Sequence, residues 1–302
     1  MREERARANS TEWRRWNDDR WAAMWPKRER LTDAVTPVLL DAAALRPGEA
    51  VLDVGCGGGK AALAAGDIVG SDGAVVGADI SRPLLTLAAR RAAESGAAHV
   101  TFVHCDVQVG PIADRQFDAA ISQFGVMFFD DPVTAFRSIA RHLRPGGRIA
   151  FACWRSLEEN PWHVGPVLAP YVGGPGAGPV ATSDGTPVGP FAFGDPGRVI
   201  GLVEQAGFVA VRSSPRDLVV EAPADAVGDE EQLVVAGVTP ESIDDARRAL
   251  ERHVRRFGDP QGALRIPLAF QVVTGCLDSD NGNGNGDVDG DVDGDVRSPP
   301  AD

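Results

Sequence analysis

The stretch Val51-Leu52-Asp53-Val54-Gly55-Cys56-Gly57-Gly58-Gly59 carries the residue types and spacing most able to do chemistry. An apolar run suited to a buried strand meets a glycine turn, and an Ala-rich stretch suited to a helix follows. Glycines let backbone approach a ligand closely, and a helix N-terminus offers unpaired N–H groups. The segment therefore suits a nucleotide-type ligand at the carboxyl end of a strand. The dinucleotide fingerprint GxGxxG needs glycine at position 60, where Lys60 stands. The phosphate loop GxxxxGK[ST] matches Gly59-Lys60 but fails at Val54 and Ala61. The pattern DxGxGxG fits, through Asp53, Gly55, Gly57 and Gly59. Asp79 ends the next apolar run, AVVGAD, where a carboxylate can accept hydrogen bonds from two ribose hydroxyls.

On this loop and on Asp79 the chain resembles the class I S-adenosylmethionine-dependent methyltransferases. The resemblance covers Leu45–Trp154 strongly and continues more weakly to Phe208. It is nearest to the ubiquinone/menaquinone-biosynthesis branch, and the segments Ser122–Pro132, FACWRSLEENPW and PFAFGD resemble a broad bacterial set of small-molecule methyltransferases within it. The resemblance implies S-adenosyl-L-methionine as cofactor. It implies Asp53, Gly55, Cys56, Gly57 and Gly59 as the loop that holds it, with Asp79 and Ile80 at the ribose. It implies Asp106 on the adenine amino group, with the Val107 backbone N–H on the ring, and Ser122 and Gln123 along the methionine part. Phe124, Met127 and Phe128 are expected to wall the methyl group or to be core.

The implied reaction is displacement of a sulfonium methyl by an O, C or N atom of a small, partly apolar molecule of primary or secondary metabolism. Such a reaction rests largely on positioning and on keeping water out. A phenol or carbon acid would gain from a base, and His163, in NPWH after the fifth strand, is the candidate. Glu158 and Glu159 are weaker candidates, while His142 and His253 sit in polar helical stretches and are expected to be solvated. The alternatives are an NAD-dependent oxidoreductase, disfavoured by Lys60 and Asp106, and an inert nucleotide-binding subunit, disfavoured by the intact loop and Asp79. Cys56, Cys105, Cys153 and Cys276 show no metal spacing, and no metal is expected. Their scatter favours free thiols and a cytoplasmic location.

These residues need a scaffold that brings strand ends together. Apolar strands at 50–55, 74–79, 99–104, 117–122 and 147–154 alternate with helices at 58–69, 83–95 and 132–143. This rhythm predicts an α/β fold with a buried parallel sheet, and the resemblance implies the doubly wound, mostly parallel seven-stranded sheet of Rossmann-like methyltransferase type, with helical and loop caps. Residues 1–44 read as an N-terminal helical cap. An amphipathic helix carries Trp13, Trp16, Trp21 and Trp25, Pro26 interrupts it, and a second helix spans 31–45. Residues 45–277 read as the cofactor-binding domain, with substrate-cap insertions at 155–195 and 214–262. A helix is expected at 196–206, a strand at 208–212, a helix near 242–257 and a last strand at 266–274. The Asp/Asn/Gly repeats of 278–302 have almost nothing apolar to bury and read as disordered.

Composition agrees with a globular enzyme. The 302 residues are 43% hydrophobic and 24% charged, with formal charge −13. Eight Asp and one Arg after Leu277 supply more than half of that charge. An acidic balance argues against a broad nucleic-acid-binding face. No apolar run reaches the roughly 18–20 residues of a membrane span, and MREERARANS lacks the apolar core of a secretory signal. The expected partner is therefore a small-molecule substrate, with a homodimer left open.

Overall fold

A computed structural model describes residues 19–112, 115–173, 189–222, 233–234, 236–259 and 263–279. Trp13, Trp16, the glycine- and proline-rich stretch 174–188 and the acidic tail beyond residue 279 lie outside them, as does the side chain of Trp21. The chain runs α1 (Asp19–Thr32), α2 (Val35–Ala43), β1 (Ala50–Val54), α3 (Lys60–Val69), β2 (Ala74–Asp79), α4 (Arg82–Ser95), β3 (Val100–His104) and β4 (Phe117–Gln123). It continues with α5 (Pro132–His142), β5 (Leu143–Trp154), the single turn α6 (Gly165–Leu168), α7 (Pro196–Gln205), β6 (Val209–Ala222), α8 (Ile243–Val254) and β7 (Leu264–Cys276).

The strands form one seven-stranded sheet in the order β3-β2-β1-β4-β5-β7-β6. Only β7 runs antiparallel to its neighbours. The sheet is the doubly wound, mostly parallel one that the resemblance implies. Strand β1 is buried along its whole length, as expected of a strand covered by helices on both faces. Strand order reverses between β1 and β4, so their carboxyl ends leave a crevice where ligands settle in open α/β sheets. Phe117, Ile121, Phe136, Phe151, Phe193 and Phe270 fill the main core. A smaller apolar cluster of Leu168, Leu233, Val238, Ala246 and Leu250 packs α6 and α8 together.

Local chemistry sets the helix ends. The Ser81 hydroxyl accepts from Leu84 N (3.4 Å), and Asp131 and Asp195 accept from Thr134 N (3.0 Å) and Arg198 N (2.5 Å). Each cap is followed by a proline in the first helical turn, where its missing N–H costs nothing.

Three expectations need correction. The first helix does not stop at Pro26 but runs through it to Thr32. Proline removes one helix hydrogen bond there, and packing of Met24 on Leu84 helps hold the helix on α4. The second helix begins at Val35, after a turn at 33–34, instead of at residue 31. Residues 214–222 are not insertion: β6 pairs with β7 from Val209 to Ala222. Its SSPRD stretch breaks apolar alternation, yet β6 is an edge strand, and an edge tolerates Pro215. Among the described residues, no helix is long and apolar enough to cross a membrane.

Candidate active site

A cavity of about 440 Å³ opens over the carboxyl ends of β1, β2, β3 and β4, walled on one side by α1 and on the other by the segments after β5 and around α8. Asp53, Gly55, Cys56, Gly57, Asp79, Ile80, Asp106, Val107, Gln123 and His163 all line it. The structure thus brings together residues spread over more than a hundred positions of sequence. Gly59 and Ser122 are the expected site residues that do not line the cavity.

The loop after β1 is shaped by close backbone contact. A Cβ on Gly55 would sit 2.8 Å from Gly125 Cα, and one on Gly125 would sit 2.7 Å from the Val54 carbonyl oxygen. The exits of β1 and β4 therefore touch backbone to backbone. The Ser122 hydroxyl fastens this contact, donating to the Val54 carbonyl (2.7 Å) and accepting from Gly125 N (3.3 Å). Ser122 is buried and shapes the loop from behind. Gly59 packs where a Cβ would strike Ala88 and Phe102, each at 2.8 Å. Sequence reasoning missed Gly125, although a lone glycine at a strand exit is a signal of close backbone approach.

Asp79 joins the loop to β2. One carboxylate oxygen accepts from Gly57 N and the other from Ser81 N, both at 2.8 Å. Each oxygen keeps a lone pair for a further donor. Burial pushes the Asp79 carboxyl up, against the pull of those N–H groups and of Ile80 N–H. Asp106 caps its own turn, accepting from Gln108 N at 3.0 Å. The Gln123 amide accepts from the Thr36 hydroxyl (2.8 Å) and donates to the Thr32 carbonyl (3.2 Å), tying β4 to the N-terminal helices.

Asp53 is 1% exposed, and neither of its carboxylate oxygens has a hydrogen-bond partner. Burial first, then the charge of Asp79, push its carboxyl up to about 7, and the nearby Ala62 backbone N–H, which does not complete a hydrogen bond to it, opposes only partly. A buried, unsatisfied acid on a cavity wall fits a cationic ligand group, since an opposite charge restores its ionised form. The ammonium and sulfonium of S-adenosylmethionine are such groups, so these residues fit that cofactor. Burial also pushes the Cys56 thiol up and the Cys153 thiol up to about 12, which keeps both protonated.

The far wall is aromatic. Phe124, with φ of 62°, is held in a left-handed conformation rare for a bulky residue. Its ring stacks on Trp154 with centroids 4.0 Å apart, and Trp162 meets Trp154 edge-on at 5.0 Å. Met127 and Phe128 line the cavity as well. His163 stands beside Trp162 and meets Phe191 edge-on at 4.9 Å. Phe193 belongs to the core, and Tyr171 packs against the α6–α8 cluster.

Asn160, an unremarked polar residue of the chain after β5, holds this wall. It is fully buried, and its amide continues the β5–β7 ladder as a peptide would. Oδ1 accepts from Ala269 N (3.0 Å) and Nδ2 donates to the Ala269 carbonyl (2.8 Å). Nδ2 also donates to the Ser156 carbonyl (3.1 Å), and Oδ1 accepts from Trp162 Nε1 (2.9 Å). Glu158 and Glu159 do not line the cavity. The Arg155 guanidinium binds Glu159 and holds its carboxyl low, and Glu158 is exposed and also held low. Neither suits a base. His142 Nδ1 donates to the Ser138 carbonyl (2.8 Å), and His253 Nδ1 accepts from Arg256 (2.8 Å). Among the described residues, no group of three or more His, Cys, Asp or Glu could hold a metal ion.

Comparison with known proteins agrees with this geometry. Residues 51–147 match the model of a family described as a methyltransferase domain. The nocamycin O-methyltransferase of Saccharothrix syringae is 37% identical over 213 residues, covering 66% of this chain and 70% of that protein. The ubiquinone/menaquinone biosynthesis C-methyltransferase of Cellvibrio japonicus is 35% identical over 111 residues, covering 36% of this chain and 45% of that protein. In structure, the YcgJ protein of Bacillus subtilis superposes with a TM-score of 0.55 at 16% identity, over 80% of this chain and 97% of that one, which speaks to the fold alone. The chain belongs to the S-adenosylmethionine-dependent methyltransferases. It is an enzyme of methyl transfer, and its cofactor is S-adenosyl-L-methionine.

Proposed function

We propose that the methyl acceptor is a small, largely apolar molecule that reacts through an oxygen or carbon atom. One observation carries this reading. The wall built by Phe124, Trp154, Trp162, Leu168, Leu250 and Phe257 is apolar, and His163 lines the cavity beside it. The cavity's lysines, Lys27 and Lys60, come from α1 and from the start of α3, on the loop side. Such a wall suits an uncharged ring system better than a phosphate-rich polymer. The names of the two relatives support both acceptor atoms, since one is an O-methyltransferase and the other a C-methyltransferase.

The roles divide as follows. Asp53, Gly55, Cys56 and Gly57, shaped by Gly59 and Ser122, hold the methionine part. Asp79 and Ile80 hold the ribose, Asp106 and Val107 the adenine, and Gln123 borders the reacting end. When bound, S-adenosylmethionine supplies a methyl group on a positively charged sulfur. The aromatic wall excludes water and presses the acceptor into line with that methyl. His163 accepts the proton of an acceptor O–H or C–H as the new bond forms. The products are the methylated acceptor, S-adenosylhomocysteine and a proton. We infer a cytoplasmic location and, if the chain self-associates, a homodimer, which sedimentation would show.

The test is turnover of hydroxylated and carbon-acid ring compounds by the wild type, Trp162→Ala and His163→Ala. Either substitution is expected to lower turnover at least tenfold while S-adenosylhomocysteine affinity stays within about threefold, because separate sites couple weakly. The His163→Ala loss should deepen as pH falls, where hydroxide cannot replace the imidazole. Wild-type turnover in both variants would move the acceptor pocket elsewhere.

A further inference from the structure

The loop side of the cavity is closed by a contact that the chemistry of the cofactor does not require. The Trp25 indole lies on Gly57 and Gly58. A Cβ on Gly57 would sit 2.7 Å from Trp25 Cζ2, and one on Gly58 would sit 2.7 Å from Trp25 Cδ1. Trp25 Nε1 donates to Glu29 Oε1 at 2.6 Å, one helical turn on. Arg91, from α4, then makes three hydrogen bonds to two partners. Nη2 donates to Glu29 Oε2 (2.8 Å), and Nη1 donates to Glu29 Oε1 (3.1 Å) and to the Gly58 carbonyl (2.8 Å). The ion pair is largely sheltered, with side-chain exposures of 24% and 12%. A fork-to-fork pair of this kind fixes geometry as well as distance.

We propose that Glu29 and Arg91 are positioning residues that latch Trp25 and α1 over the glycine loop, and so set how long the cofactor stays bound. The argument is steric and electrostatic. Trp25 and Glu29 both line the cavity, so α1 forms part of the wall around any ligand on the loop. Arg91 grips α1 and the Gly58 carbonyl at once, which makes loop shape and helix docking one event. Ligand on the loop and α1 on the body therefore stabilise each other, as linkage demands. The latch rests on the loop being the cofactor site.

Stopped-flow dissociation and calorimetry of S-adenosylhomocysteine on the full chain test it. The variants are Arg91→Met, Glu29→Gln, the double variant and Asp79→Ala. Arg91→Met keeps the aliphatic stem and loses the fork. Its dissociation rate should rise roughly tenfold with association within about threefold, the usual division when a contact around a bound ligand is lost. Glu29→Gln, nearly isosteric, should raise the rate about threefold, and the double variant should be no worse than Arg91→Met within about twofold, because both act through one pair. An altered fold alone would lower the melting point without producing this rate split or this lack of additivity. A dissociation rate within twofold of wild type in folded Arg91→Met overturns the latch. Should Arg91→Met fail to fold, an unchanged rate in Glu29→Gln overturns it instead. Asp79→Ala separates the premises. If it weakens binding while Arg91→Met does not, only the latch fails; if it leaves binding unchanged, the loop is not the cofactor site and the latch falls with it.

Discussion

Asp53 is protonated at a pH where most aspartates are charged, and that has consequences for both stability and binding. Its folded carboxyl sits at about 7, above the ordinary value near 3.8. Below the ordinary value both folded and unfolded chains hold the proton, and Asp53 costs nothing. As pH rises from about 4 to 7 the unfolded chain releases it first, so stability falls, and above 7 the full penalty is in force. Asp53→Asn is therefore expected to stabilise the ligand-free protein by on the order of 2–4 kcal/mol at pH 8 and by almost nothing at pH 4, in urea melts at both values. The same variant should weaken S-adenosylmethionine binding, because it removes the charge that faces the ligand. For the wild type, binding should release a proton near neutral pH, which calorimetry in buffers of different ionisation heat would detect. Asp79→Ala is expected to cost roughly ten- to a hundredfold in affinity through lost hydroxyl hydrogen bonds. An unchanged Kd in a folded variant would displace the ribose from β2.

At the scale of elements, what was legible in the sequence followed local rules. The strands β1 to β5 announce themselves as apolar runs, the first two ended by Gly55 and Asp79, and their alternation with helices leaves little freedom in topology. The loop, Asp79 and Asp106 fall at strand ends, and parallel strands bring such ends together. Elements that depend on distant partners were not legible. Strand β6 looks irregular until β7 supplies its ladder. The first helix reads as interrupted at Pro26 until its contact with Leu84 is known. Asn160 reads as a loop residue, since nothing near it in sequence reveals that its amide will meet Ala269. Its importance is nonetheless measurable. Asn160→Ala would leave the Ala269 N–H and carbonyl, the Ser156 carbonyl and the Trp162 indole N–H without this partner. The expected loss is about 2–4 kcal/mol of stability, read as a lower urea midpoint with an unchanged slope.

The whole molecule divides its work across the sheet. Strands β1 to β4 carry the residues proposed to meet the cofactor, and the connections beyond β5 carry the wall proposed for the acceptor. Occupancy of the first half should stabilise the entire fold. At a hundredfold excess over Kd, S-adenosylhomocysteine is expected to add about 2.7 kcal/mol, and a thermal melt showing no upward shift would contradict cofactor binding to the folded state. The antiparallel pair β6 and β7 gives this division a further meaning. Residues 223–263 join the two strands, so α8 hangs from the tip of a hairpin, and the excursion brings Leu233, Val238, Ala246 and Leu250 to Leu168 of α6. Both ends of that excursion are pinned side by side where Ala222 pairs with Leu264. Lineages can therefore lengthen, shorten or trade this piece as a cassette while the cofactor half is inherited intact, and new acceptors come within reach of evolution without a new fold.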